Sequence, residues 1–268
     1  MDWAALIFGL MCLGAFAGFL AGFFGIGGGA VLVPGLFYMF GALGFAPDAL
    51  MHMAVGTSLA IIVPTGLASA RAHHQRGHID FQLLRRIGAG VLIGAIFGSF
   101  GAQYLDGAGL SLVFAVAIVG LALIMLANPA RFFAFERATA QPFASLAGLV
   151  IGGVSSLIGI GGATLSVPYM SIGRVPIHRA IGTAAALGLV ISVPASIGFM
   201  ITGWGADLRP PLSLGYISVP AWVIIIAIST WFAPLGAAAG HKLPVHVLRR
   251  VFAVFMVLVA IKMTFEVL

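Results

Sequence analysis

The chain has 268 residues, of which 61% are hydrophobic and only 7% charged, with a formal net charge of +6 and a mean hydropathy of +1.15. Soluble domains carry about 25% charged residues, so these figures exclude an ordinary water-soluble enzyme or binding module. The excess of bases sits in short loops between apolar runs, where it sets membrane topology and does not bind a polyanion.

Apolar segments are predicted over residues 3–24, 30–46, 52–70, 87–105, 109–128, 143–158, 163–173, 180–202, 216–240 and 248–267. Asp2 stands where a secretory signal would carry bases, so the first run reads as a membrane segment. A spanning helix takes about 20 apolar residues, and ten segments consume nearly the whole chain. The expected fold is an all-α polytopic membrane protein. Its parts are a first membrane repeat over 1–128, a polar cytoplasmic linker over 129–142, and a second repeat over 143–268. Cys12 is the single cysteine and excludes an intrachain disulfide.

The two halves share phrases. Gly25-Ile26-Gly27-Gly28-Gly29 with Pro34 returns as Gly159-Ile160-Gly161-Gly162-Ala163 with Pro168, and His52-Met53-Ala54-Val55-Gly56-Thr57 returns as His178-Arg179-Ala180-Ile181-Gly182-Thr183. Further on, a shift of 138 residues pairs Gly77 with Gly215, Gly98 with Gly236, and Phe114-Ala115-Val116 with Phe252-Ala253-Val254. The duplication therefore runs to the end of the chain.

Five segments per half force the second half to enter the membrane from the opposite side. Loop charges agree with this: Arg71, Arg76, Arg85 and Arg86 follow segment three, whereas the matching loop after segment eight carries Asp207 and Arg209. The bias reverses after segments four and nine, where Asp106 is matched by Lys242, Arg249 and Arg250. With both termini outside, eleven of the 13 Lys and Arg fall inside. An eight-span arrangement with parallel halves would put the loop from Lys242 to Arg250 outside, so a five-plus-five inverted repeat is expected.

Segments six and seven are shorter than a span, which allows Gly159 to Gly162 to be the tip of a hairpin ending near the midplane, while the loop charges are the same if the hairpins cross fully. Gly25 to Gly29 becomes its counterpart between segments one and two. Glycine-rich turns expose N–H groups, and the helices that follow add positive dipole ends, so two converging tips favour a small oxyanion. Packing glycines are the competing explanation, but packing alone does not demand a proline nine residues after the first glycine. Gly98 reads as such a packing position, tolerant of alanine.

All seven acidic residues fall in predicted loops or at the termini, which disfavours a cation substrate. The candidate substrate-binding residues are Gly27, Gly28, Gly29, Thr57, Ser58, Gly161, Gly162 and Thr183, with His52 and His178 as groups able to adjust charge with pH. Ser155, Ser156, Thr164 and Ser166 rank below them, as helix hydroxyls bonded to their own backbone. His73, His74 and His78 read as part of a solvated basic loop. No Walker phrase, no nucleophile with its base and no His-Glu-x-x-His is present. No catalytic residue, metal or cofactor is therefore expected.

The twin Gly-Ile-Gly-Gly phrases, Ala54-Val55-Gly56-Thr57-Ser58, Ala180-Ile181-Gly182-Thr183-Ala184 and Gly77-His78-Ile79-Asp80 resemble the sulfite exporter TauE/SafE family of bacterial inner-membrane proteins. The resemblance covers essentially the whole chain. It implies a multi-pass carrier of a small sulfur-containing anion such as sulfite, thiosulfate, or an organosulfonate like sulfoacetate. The competing readings are an anion channel and a membrane scaffold without transport activity.

Overall fold

The structure is a computed structural model that describes residues 3–24, 28–127, 135–206, 210–240 and 245–267. Ten α-helices occupy them: α1 (Trp3–Phe24), α2 (Gly29–Ala42), α3 (Pro47–Gln75), α4 (Phe81–Gly101), α5 (Gly107–Ala127), α6 (Phe143–Ile158), α7 (Ala163–Ile172), α8 (Ile177–Thr202), α9 (Val219–Gly240) and α10 (Val245–Val267). Two two-residue strands, Ser213–Leu214 and Ile217–Ser218, pair antiparallel just before α9.

Helix boundaries depart from the hydropathy reading where polar residues cap or extend a helix. Pro47 opens α3 five residues before the expected start, with Asp48 in its first turn, because proline is pre-organised for a first turn and a carboxylate favours the positive helix end. Asp80 caps α4 by accepting the Leu83 N–H at 2.9 Å, so the helix begins ahead of Arg85 and Arg86 and not after them. The ninth segment was expected from 216, but residues 213–218 form the small hairpin instead.

Among the described residues, five helices are long and apolar enough to cross a membrane: α3, α4, α5, α8 and α9. By contrast α2, α6 and α7 have 14, 16 and 10 residues, about 21, 24 and 15 Å of helix against a hydrocarbon core of about 30 Å. The outer surface is apolar, with Phe97 at 72% and Trp231 at 78% exposure among many exposed Leu, Ile and Val residues. Such a surface suits lipid and not water.

The halves interleave. Helix α1 lies along α9, α4 along α6, α3 along α8 and α5 along α10. Along α4 and α6 the contacts climb together: Gly90 meets Ser145 and Leu149, Gly94 meets Leu149 and Gly153, and Gly98 meets Gly153 and Ser156. These two helices therefore run parallel. So do α1 and α9, where Gly14 meets Ile225, Gly18 meets Ser229, and Phe19 meets Gly236. Helices α3 and α8 run antiparallel, since Gly56 lies against Phe199 and Gly66 against Leu189.

Backbone approaches backbone along these seams, as small residues allow between membrane helices. This overturns the expectation for Gly98. A methyl there would stand 2.2 Å from the Ser156 hydroxyl and 2.5 Å from the Gly153 carbonyl oxygen, so the position has no room for alanine.

Candidate functional site

The second glycine phrase closes α6. Gly159 adopts φ +67°, and its N–H bonds back to the Ser155 carbonyl, which also accepts the Ile160 N–H at 3.1 Å. Only glycine takes this left-handed conformation without strain. The chain turns through Gly161 and Gly162 into α7, and all four residues from Gly159 to Gly162 are buried.

The tip abuts the first phrase. A Cβ on Gly29 would stand 2.7 Å from the Gly159 carbonyl oxygen and 2.9 Å from the Ile160 Cα. The Ser58 hydroxyl donates to that same Gly159 carbonyl at 2.8 Å. Ile62 flanks both Gly29 and Gly161, while Gly162 lies against the backbone of Gly188 on α8. Ile62 and Gly188 stand close to the middles of α3 and α8, so the start of α2 and the start of α7 meet half-way along the crossing helices. Each start presents first-turn N–H groups with no acceptor inside its own helix and a positive dipole end.

The structure thus brings Gly29, Ser58, Gly161 and Gly162 around one point, with Gly28 as the N-cap residue of α2. Gly27 lies outside the described residues. Thr57 and Thr183 have other partners. The Thr57 hydroxyl accepts the Ser218 N–H at 3.0 Å, and the Thr183 hydroxyl accepts the Asp80 N–H at 3.0 Å.

These two bonds are equivalent, because the shift that relates Gly77 to Gly215 also relates Asp80 to Ser218. The neighbouring glycines repeat the relation. Gly56 admits the Tyr216 carbonyl oxygen to 2.5 Å of its Cβ position, and Gly182 admits that of His78 to 2.4 Å. Each Gly-Thr pair therefore locks its helix onto the loop entering the fourth helix of the other half.

The two histidines stand at opposite ends of the α3 and α8 pair. His52 is buried, with Nε2 donating to the Ala102 carbonyl at 3.0 Å and its ring 5.0 Å from Tyr216 and 6.5 Å from Phe199. His178 is exposed, its ring stacked 5.5 Å from His78, which lies 6.0 Å from His73. In the register of the shared phrases, Phe199, Tyr216 and His52 at one end answer His73, His78 and His178 at the other. Among the described residues no group of His, Cys, Asp or Glu is arranged to hold a metal ion.

Several bases gather at the His178 end. His78 against His178 puts Arg76 and Arg179 at one end, and the Gln141 amide on the Arg86 carbonyl brings Arg86 there too. Gly107 packs on Pro47 and Asp48 at the other end, beside Asp106. Asp207, Arg209 and Lys242 lie outside the described residues.

The sequence profile described as Sulfite exporter TauE/SafE matches residues 10–263. The chain belongs to the TauE/SafE sulfite exporter family. A protein of Haemophilus influenzae named Probable membrane transporter protein is 38% identical over 256 residues, covering 95% of this chain and 97% of that one. Proteins of Methanocaldococcus jannaschii and Bacillus subtilis, also named as probable membrane transporters, are 28% and 26% identical, with 88% and 96% of this chain covered and 88% and 97% of theirs. No solved structure matches the chain significantly. This TauE/SafE member is a multi-pass membrane transporter.

Some residues of the TauE/SafE centre escape a reading of the sequence. Ile62 and Gly188 are apolar members of helices without any motif. Ser192 carries a fully buried hydroxyl that, like those of Ser155 and Ser166, has no hydrogen-bonding partner among the described residues. Ser156 by contrast follows the expected pattern and donates to the Gly153 carbonyl at 2.9 Å.

Proposed function

We propose that this protein is a secondary transporter that carries a small sulfur-containing anion, such as sulfite, thiosulfate or an organosulfonate like sulfoacetate, across the bacterial inner membrane by alternating access. The observation that carries this reading is the meeting of the two glycine phrases at the middle of the α3 and α8 pair. The N–H groups of Gly27, Gly28, Gly29, Gly161 and Gly162 are the donors for the anion, and the dipole ends of α2 and α7 supply the positive field. Ser58 holds the tip in place. Thr57 and Thr183 fasten the two ends, and His52 and His178 sit at the mouths.

An inverted repeat is supported by three features of the packing. Helix α3 is antiparallel to its counterpart α8, while α4 with α6 and α9 with α1 form equivalent parallel pairs. The two threonine locks exchange under the same relation. Helices so related expose the midplane to one side when one lock loosens, and to the other side when its twin does. The basic end, with Arg76, Arg86 and Arg179, faces the cytoplasm, which places both termini in the periplasm. Complete burial of Gly159 to Gly162 favours a gated carrier over an open anion channel.

Thermal unfolding of the purified protein with sulfite, sulfate, thiosulfate, sulfoacetate and taurine tests this reading. An anion bound only by the folded state stabilises it by about 2.7 kcal/mol at a hundred times Kd, and so raises the midpoint with concentration. A midpoint that no sulfur anion moves would count against it.

A further inference from the structure

Three buried hydroxyls on α6, α7 and α8, the helices that hold the second tip, have no hydrogen-bonding partner among the described residues. Ser155 lies on the last turn of α6, where its own carbonyl accepts the Gly159 and Ile160 N–H groups. Ser166 lies one turn into α7, its N–H bonded to the Gly162 carbonyl at 2.9 Å. Ser192 lies one turn beyond Gly188, the residue whose backbone meets Gly162, and positions four apart share a helix face. All three side chains have zero exposure, and none of the hydroxyls has a hydrogen-bonding partner among the described residues.

Serine in a membrane helix ordinarily bonds to the carbonyl three or four residues back. Ser99, Ser111, Ser171 and Ser196 of this chain do so. Leaving such a group buried and unbonded is costly, and three around one turn need an explanation. The repeat sharpens it. The equivalents of Ser155, Ser166 and Ser192 in the first half are Ala21, Leu32 and Gly66, none of which has a hydroxyl. The unpartnered hydroxyls around the tip belong to the second half only.

We propose that Ser155, Ser166 and Ser192 are the substrate-specificity residues of the transport site, donating hydroxyl hydrogen bonds to the oxygens of a sulfite or sulfonate group seated at the second tip. This rests on the reading of the chain as an anion transporter. A sulfonate or sulfite group offers three oxygens, which three hydroxyls can serve while backbone N–H groups of the tip add further donors. The first half then supplies mainly backbone N–H groups and apolar walls, and the site is offset toward α6, α7 and α8.

The test is calorimetric titration of the full-length protein with sulfite, thiosulfate and sulfoacetate, together with thermal unfolding without ligand, for Ser155→Ala, Ser166→Ala, Ser192→Ala and the control Ser196→Ala. Each of the first three should weaken binding by roughly tenfold to a hundredfold, as loss of a donor to a charged acceptor does. Their ligand-free midpoints should equal or exceed that of the wild type, because alanine removes an unsatisfied group. Ser196→Ala should bind as the wild type does, and Ser192→Thr, which keeps a hydroxyl, should restore part of the affinity lost in Ser192→Ala. Wild-type affinity in all three alanine variants overturns the assignment and leaves the anion reading standing. Lowered ligand-free midpoints overturn it too, since the hydroxyls are then structural. A wild-type protein that binds none of the three anions overturns both.

Discussion

Replacing Gly29 by alanine tests whether the two tips must touch. The added methyl would lie 2.7 Å from the Gly159 carbonyl oxygen, 2.9 Å from the Ile160 Cα and 3.2 Å from the Ile62 Cδ1. Comfortable heavy-atom contacts lie near about 3.5 Å or beyond, so the tips must part by about 0.5 to 1 Å. The first two obstacles are backbone atoms of a capped turn and cannot swing aside. Overpacking of this kind costs about 1 to 3 kcal/mol.

Gly161 and Gly28 supply the contrast. At Gly161 a methyl meets Ile62 at 3.6 and 3.8 Å, and at Gly28 it meets Ala21 at 3.4 Å and Leu32 at 3.5 Å, all close to ordinary contact. Gly29→Ala should therefore lower the thermal midpoint by several degrees and abolish anion flux into proteoliposomes. Gly28→Ala and Gly161→Ala should keep the wild-type midpoint. A Gly29→Ala protein as stable and as active as the wild type would refute the idea that the tips form one unit.

Other outcomes follow from the locks, the seams and the charges. Thr57→Val and Thr183→Val remove the acceptors for the Ser218 and Asp80 N–H groups, at a cost of about 1 to 3 kcal/mol each for a backbone donor left without its partner; chemical unfolding should show the loss, and Thr183→Ser should restore most of it. Gly98→Ala should destabilise by about 1 to 3 kcal/mol through overpacking against α6. Gly120→Ala, at a position with nothing within 4 Å, should leave stability unchanged or raised. Once Cys12 is replaced, single cysteines at positions 76 and 242 should react with an impermeant reagent from the cytoplasmic face and one at 106 from the periplasmic face. Labelling of 76 and 242 from opposite faces would rule out inversion.

The shared phrases are legible in the sequence because their constraints fix letters: Gly-Ile-Gly-Gly needs an exposed backbone, and Gly-Thr needs a close approach with a hydroxyl beside it. Those constraints fix residue type at fixed spacing. What the pair Gly56-Thr57 approaches was not legible, because Tyr216 and Ser218 come from the far half and contact follows from topology. For the same reason Gly98 looked like a tolerant packing glycine, since its severity is set by the parallel course of α4 and α6. Helix starts at Pro47 and Phe81 escaped the hydropathy reading because capping and first-turn electrostatics, not apolar runs, decide them. Ser192 carried no signal at all: an isolated serine in an apolar helix becomes notable only when its hydroxyl is seen to lack a partner.

As proposed, the protein carries a sulfur-containing anion by alternating exposure of one midplane site. Uptake of labelled sulfite, thiosulfate and sulfoacetate into proteoliposomes, measured with and without unlabelled anion trapped inside, tests it most directly. A carrier gives flux that saturates with concentration and accelerates when the same anion is present on the far side. Flux that rises linearly without such acceleration, or no flux of any of the three anions, would contradict the account.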